Sequence, residues 1–293
     1  MAADPLQLFP GKVFISTALE ALVTKTHMSG ELRNRYLQRA AMAGFLIGLF
    51  YVTSYGVRVA FEQLPAAGAG SFAGVGAVAG ALTFGWALVF IYYTKSELLT
   101  SNMMLVMVGA YYRRTGWRHA LRLLSLCYLG NLVGGLVLAG LLRLSSLTDG
   151  AVMDLMVASV DHKLDYVASG PGGWGDLLVR AVLCNFCINI AMLMVYNGLI
   201  KDDLTRSLVM IVAVFIFAFL GLEHSVANTV LFLVVGLAHG VHVGLAAGNV
   251  AIALVGNFIG GGLLIGTYYA YVNDDRKWHP RSANEGALPD TEE

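Results

Sequence analysis

The sequence predicts an all-α polytopic membrane protein with six transmembrane spans, built as two inverted three-span repeats in which spans 2 and 5 are broken. Three observations carry that prediction. Of the 293 residues, 57% are hydrophobic and only 13% charged, against about 25% charged in an average soluble domain. The apolar stretches suffice for six crossings of about 20 residues each. The polar residues inside two of those stretches also recur at one fixed spacing. This composition excludes a disordered chain, a nucleic-acid binder and an ordinary cytosolic enzyme. Nineteen Lys and Arg balance nineteen Asp and Glu, so no acidic or basic partner is implied.

The elements follow in order. In the N-terminal segment, residues 1–36, Val13 to Val23 (VFISTALEALV) is apolar with Ser16, Thr17 and Glu20 at helical spacing and a lysine beyond each end. It is expected as an amphipathic helix at the membrane surface. The N-terminus lacks a charged stretch followed by an apolar one, so no cleaved signal is expected, and span 1 (Leu37–Phe61) serves as the insertion signal. Span 2, Phe72–Tyr112, is too long for one crossing at about 1.5 Å per residue and holds Lys95 and Glu97. It is either two helices with a tight turn or one crossing with a non-helical interruption. Span 3 covers Ala120–Leu144.

The segment Ser145–Asp176 carries Asp149, Asp154, Asp161, Asp165 and Asp176 against Lys163 and ends in GPGGWG, a loop signal. Span 4 covers Leu177–Ile200. KDDLTR is a short loop with Asp203 or Thr205 as the expected helix cap. Span 5, Leu204–Gly236, is interrupted by Glu223 and His224, and span 6 covers Leu245–Val272. The tail, 273–293, is polar with Pro280 and Pro289 and is expected to be partly disordered. With each broken span counted once, both termini share a side. Arg33, Arg35, Arg39, Arg113, Arg114, Arg118 and Arg122 put that side in the cytoplasm. The expected location is therefore the cytoplasmic (inner) membrane, with a channel domain over 37–272.

The repeat is visible in polar positions. Glu97 and Glu223, Asn102 and Asn228, and Asn131 and Asn257 each stand 126 residues apart, the last pair in GNLVGG and GNFIGG. An odd number of spans per copy, about 37–144 and 177–272, forces opposite orientations in the membrane. In such folds the interrupted helices meet near the midplane, which points to KSELLTSN (Lys95–Asn102) and GLEHSVAN (Gly221–Asn228) as the site.

Ionisable groups inside spans are functional or mutually paired as a rule. Glu97 and Glu223 fit anchors of the freed backbone better than pore groups, and so do the four asparagines. His224 can hold an anion or exchange a proton, or it is a satisfied core histidine. Thr100 offers a hydroxyl. Lys95 either pairs with Glu97 or Glu223 or supplies a standing positive charge to an anion path. Gly130/Gly134, Gly256/Gly260 and Gly76/Gly80 read as close-packing faces. Cys184 and Cys187 form C-x-x-C but read as small packing residues, like Cys127; no disulfide framework, metal or cofactor is expected. No Walker A, H-E-x-x-H or G-x-S-x-G motif is present, which argues against ATP-driven transport and intramembrane hydrolysis.

SELLTSN (Ser96–Asn102), RAVLCNFCINIA (Arg180–Ala191), LEHSVAN (Leu222–Asn228) and GNFIGGGLLIG (Gly256–Gly266) together resemble the formate/nitrite transporter family over about residues 10–272. The resemblance implies an aquaporin-like protomer, a homopentamer in the bilayer, and a pore for a small monovalent anion: formate, nitrite, hydrosulfide, acetate or lactate. It implies that His224 and Thr100 hydrogen-bond the anion between two constrictions, Phe84 with Phe217 outside and Leu88 with Leu98 inside. It further implies that Lys163 draws anions into the vestibule, that Asn185 and Asn228 lie near the pore, and that the N-terminal helix resembles a segment that gates at low pH. The family pattern has a small residue, most often glycine, near the acidic motif of span 2, whereas Lys95 stands here. The function expected is a non-enzymatic channel coupling a small anion to proton transfer near His224. The alternatives are a neutral-solute pore, for which the ionisable cluster is unfavourable, and a scaffold or sensor with a degenerate pore, which Lys95 locked in a salt bridge would favour.

Overall fold

The structure is a computed structural model that describes residues 8–65 and 71–276. All regular elements among the described residues are helical. They are α1 (Lys12–Glu31), α2 (Arg33–Glu62), α3 (Ala73–Tyr93), α4 (Leu99–Tyr111), α5 (Trp117–Arg143) and α6 (Ala151–Ala168), then α7 (Pro171–Tyr196), α8 (Asp203–Phe219), α9 (Ser225–His239) and α10 (Val243–Asn257). A π-helical stretch (Phe258–Thr267) and α11 (Tyr268–Val272) continue α10. Five of these are long and apolar enough to cross a membrane: α2, α3, α5, α7 and α10 with its continuation. Their outward faces carry large apolar side chains such as Leu49, Trp86, Phe90, Leu129 and Leu141, and Val212 on α8 is exposed likewise, as a lipid-facing surface requires.

Both long apolar stretches are interrupted helices. The first breaks between α3 and α4, the second between α8 and α9. The halves then interlock. α4 packs on the π-helical stretch and on α7, while α9 packs on α5 and α2. α3 lies along α8. Each break thus sits among helices of both repeats, which buries backbone that lipid could not satisfy. Glycines permit the closest approaches. A Cβ on Gly130 would meet the Leu37 carbonyl oxygen at 2.9 Å, and one on Gly256 the Leu178 carbonyl oxygen at 2.7 Å. Gly134 faces the Ala41 carbonyl and Gly260 the Val182 carbonyl in the same way, so α2–α5 and α7–α10 are the same packing made twice.

The structure refines or corrects three sequence expectations. The polar segment Ser145–Asp176 is largely helical: α6 runs through it with Met153, Met156, Val160 and Leu164 buried at helical spacing beneath exposed aspartates. GPGGWG starts a helix, with Gly170 at φ 74° and Pro171 in the first turn, where the missing N–H has no partner to lose. The helix cap in KDDLTR is Asp202 rather than Asp203 or Thr205. Its carboxylate accepts the Thr205 N–H at 2.7 Å, and that bond holds it below the usual carboxylate range.

The N-terminal helix is also more than a surface helix. α1 buries Phe14, Ile15, Ala18 and Leu22 against the bundle. Lys12 pairs with Asp275, and the Gly11 N–H donates to Asn273 Oδ1 at 2.7 Å. The tail expectation lies largely outside the described residues, which end at Arg276.

Candidate functional site

The two breaks are built alike from the same residues. Asn131 on α5 accepts the Leu99 N–H at 3.1 Å and donates to the carbonyls of Glu97 and Ala40, each at 2.8 Å. Asn257 accepts the Ser225 N–H at 2.9 Å and donates to the carbonyls of Glu223 at 3.0 Å and Ala181 at 2.8 Å. Each asparagine therefore replaces the helical partners that the break removes.

The carboxylates are anchored too. Glu223 accepts from Lys163 Nζ at 2.8 Å and from Asn228 Nδ2 at 2.5 Å. Glu97 accepts from Lys25 Nζ and from Asn102 Nδ2 at 3.2 Å. Lys25 lies on α1 and Lys163 on α6, so each repeat is preceded by a helix whose lysine neutralises the buried glutamate of its break. Lys25, Asn189 and Asn249 are the residues that sequence reasoning missed. Asn249 joins Asn228 at 2.8 Å to the Lys163 carbonyl at 2.9 Å. Asn189 and Asn185 both donate to the Thr100 carbonyl, at 3.1 and 3.2 Å. Their four-residue spacing on one helical face was the available signal.

The repeat differs at the residue that follows each buried glutamate. Position 98 is leucine and its counterpart 224 is histidine, each at the cap position of the half-helix after its break. His224 is 1% exposed, and its Nδ1 accepts the Ala227 N–H at 3.1 Å. An acceptor Nδ1 leaves the ring proton of neutral imidazole on Nε2. That atom lies 3.2 Å from Thr100 Oγ1, which comes from the other break. With Nε2–H donating, the Thr100 hydroxyl proton has no acceptor among the described residues. The geometry is a polarised string of donors running from a helix N-terminus to a free hydroxyl.

A small chamber adjoins His224. Phe84, Leu88, Leu98, Phe217, Val214 and Ile188 are among its walls, and its volume is about 10 Å³, close to the room one water needs. Phe84 and Phe217 meet edge to face at 5.7 Å, and Phe217 stacks on the His224 ring at 5.8 Å. On one side a cavity of about 390 Å³ is lined by Phe217, His224, Lys163, Arg180 and Arg58. On the other, a cavity of about 490 Å³ is lined by Leu88, Leu98, Lys25, Arg39, Lys95 and Glu97. Two polar mouths thus face one apolar chamber.

Of the two roles open to Lys95, the structure removes the ion pair and leaves it lining the larger cavity. It pairs with neither Glu97 nor Glu223. It is exposed, and its Nζ sits 4.7 Å from the Tyr92 ring centre. Its φ is 55°, and its counterpart Gly221 has φ 63°. The break needs a left-handed residue at this position, which glycine supplies without strain. Cys127, Cys184 and Cys187 are all free thiols, and Cys127 donates to the Glu97 carbonyl at 3.3 Å.

The family model described as Formate/nitrite transporter matches residues 12–271. The formate channel FocA of Escherichia coli K12 is 27% identical over 92% of this chain and 95% of its own. The uncharacterized transporter YwcJ of Bacillus subtilis is 29% identical over 68% and 76%. A solved structure of an FNT family ion channel superposes with a TM-score of 0.76 at 22% identity, over 89% of this chain and 99% of that one. A solved pentameric formate channel with formate bound gives 0.66 at 22% identity, over 83% and 98%.

Proposed function

Because this chain belongs to the formate/nitrite transporter family, we propose that it is a multi-pass membrane channel for a small monovalent anion such as formate or nitrite, working as a homopentamer with one pore per protomer. The observation that carries this is the His224–Thr100 pair at 3.2 Å beside a nearly closed apolar chamber between two cation-lined cavities. The FocA relative supports the substrate class, and the pentameric formate channel supports both the substrate class and the assembly.

The mechanism follows from what each part tolerates. An anion entering the outer cavity meets Lys163 and Arg180. It is then held by the Thr100 hydroxyl and by His224 Nε2–H between the Phe84/Phe217 and Leu88/Leu98 constrictions. An isolated charge is strongly disfavoured in the apolar chamber. A proton taken up from vestibule water gives the neutral acid, which passes and releases the proton in the opposite cavity. His224 holds the anion and does not lend it a proton, because charging Nδ1 requires breaking its bond to the Ala227 N–H. Lys163 with Glu223, and Lys25 with Glu97, keep the breaks intact. Asn185, Asn189 and Asn228 hold the surrounding backbone and carboxylate. Both termini are assigned to the cytoplasmic side of the inner membrane.

The test is uptake of formate, nitrite, hydrosulfide, acetate and lactate into proteoliposomes at two pH values within about 5–8, the range of an unperturbed histidine. Flux of one anion that is faster at the lower pH and is lost in His224→Phe is the expected result. Equal flux and equal pH dependence in that variant would remove His224 from the mechanism. Glycerol-driven swelling without anion uptake would replace the anion channel by a neutral-solute pore.

A further inference from the structure

We propose that Arg58, at the outer end of α2, is an oxyanion-docking residue that selects planar two-oxygen anions before they reach the Phe84/Phe217 constriction. This rests on the anion-channel function proposed above. The other lysine and arginine of the outer cavity, Lys163 and Arg180, are already engaged. Lys163 neutralises Glu223 as Lys25 neutralises Glu97. Arg180 binds Asp176 at 2.9 Å and donates to the carbonyls of Gly221 at 3.3 Å and Leu220 at 3.5 Å.

Arg58 has no such work. Among the described residues no carboxylate pairs with it, and its Nε is buried without a hydrogen-bond partner. A buried donor left without a partner is destabilising, so a ligand that supplies an acceptor is favoured. The side chain is nonetheless positioned. Gly80 on α3 leaves the slot in which its stem lies, because a Cβ there would come within 2.8 Å of Arg58 Cγ. Its guanidinium carbon sits 5.8 Å from the Tyr55 ring centre. Arg58 lines the same cavity as His224, Phe84 and Phe217, so an anion docked there is already in the vestibule of the pore. Tyr55 and Ser159, joined at 2.7 Å, and His162 line it too.

A guanidinium offers two parallel N–H donors that match the two oxygens of a carboxylate or nitrite. Hydrosulfide and chloride have one acceptor atom and cannot take both donors as a parallel pair. Arg58→Lys keeps the charge and loses the fork. The expected result in proteoliposomes is a fall of about tenfold in the formate-to-hydrosulfide uptake ratio at low substrate concentration. In parallel, sodium formate should raise the melting temperature of the solubilised protein more than sodium chloride at equal ionic strength, and Arg58→Lys should erase that difference. An unchanged uptake ratio, or equal formate effects on the two proteins, overturns the docking role. Formate-specific stabilisation that depends on Arg58, in a protein that passes no anion, overturns the channel function and leaves the docking site standing.

Discussion

At the scale of single residues, His224 and Lys95 show how the repeat is put to use. His224 caps α9 through Nδ1 and presents Nε2 to Thr100. Asparagine offers an acceptor and a donor on one short side chain and is among the best helix caps. His224→Asn should therefore keep the fold and retain measurable anion uptake with the parent's pH dependence. His224→Phe should lose uptake and lower stability by about 1 kcal/mol from the missing cap. Uptake and thermal melts of the two variants side by side check this, and complete inactivity of His224→Asn would restore a proton-donating role to the ring. Lys95→Gly removes a side chain from a left-handed conformation, a relief of about 1–2 kcal/mol, partly offset by about 0.5–1 kcal/mol from glycine's larger unfolded-state entropy. The expected outcome is a melting temperature equal to or slightly above that of the parent, measured by thermal unfolding in detergent. The break itself was legible in the sequence, flagged by Lys95 inside an apolar run. The left-handed backbone of Lys95 was not, because conformation at one residue depends on where the chain must go next.

At the scale of elements, the breaks are held by side chains from other helices. Asn131→Ala or Asn257→Ala removes three hydrogen bonds and leaves buried backbone groups without partners. Each should lower stability by at least about 2 kcal/mol, by similar amounts, as read by thermal unfolding. Lys25→Met leaves Glu97 buried without its cation, an effect of about 3–5 kcal/mol. It should also free α1 from the bundle, so that proteases cut within α1, and adding Glu97→Gln should recover most of the stability. The chain after α11 is tied to α4 by a contact that resists mild acid. Asp274 binds Arg276 at 2.7 Å and accepts from Tyr111 at 3.0 Å, which holds its carboxyl below the usual range. A depressed pKa contributes stability that is present above the unfolded value, near about pH 4, and is lost as pH falls through the folded one. Protease sensitivity around residues 270–276 should therefore not increase between pH 7 and 5. The broken spans were legible from length and from charges in apolar runs. α6 was obscured because the aspartates around it masked the helical spacing of its buried methionines and Val160.

At the scale of the whole molecule, the fold is a duplicated packing closed by interlocking half-helices. Gly134 and Gly260 occupy equivalent contacts against backbone carbonyls of Ala41 and Val182. Valine at either position has nowhere to go without separating two spans. Gly134→Val and Gly260→Val should both reduce the yield of folded protein sharply, whereas Gly140→Val, with open space around it, should not. Size-exclusion profiles after detergent extraction distinguish them, and the same profiles with native mass measurement check the five-fold assembly.

The sequence by itself determined the membrane class, the two interrupted stretches, the pairing of positions 126 residues apart and the family, because those depend on composition and spacing along one chain. Only the tertiary structure decided which lysine meets which glutamate, that Lys95 meets neither, that α1 is docked on the bundle, and that His224 Nε2 faces Thr100. Those outcomes join residues from opposite repeats or from helices outside them, and a linear pattern holds no information on which of several buried donors and acceptors is nearest. Burial then makes the choice consequential, since an unpaired polar group in the apolar interior is the costliest arrangement available.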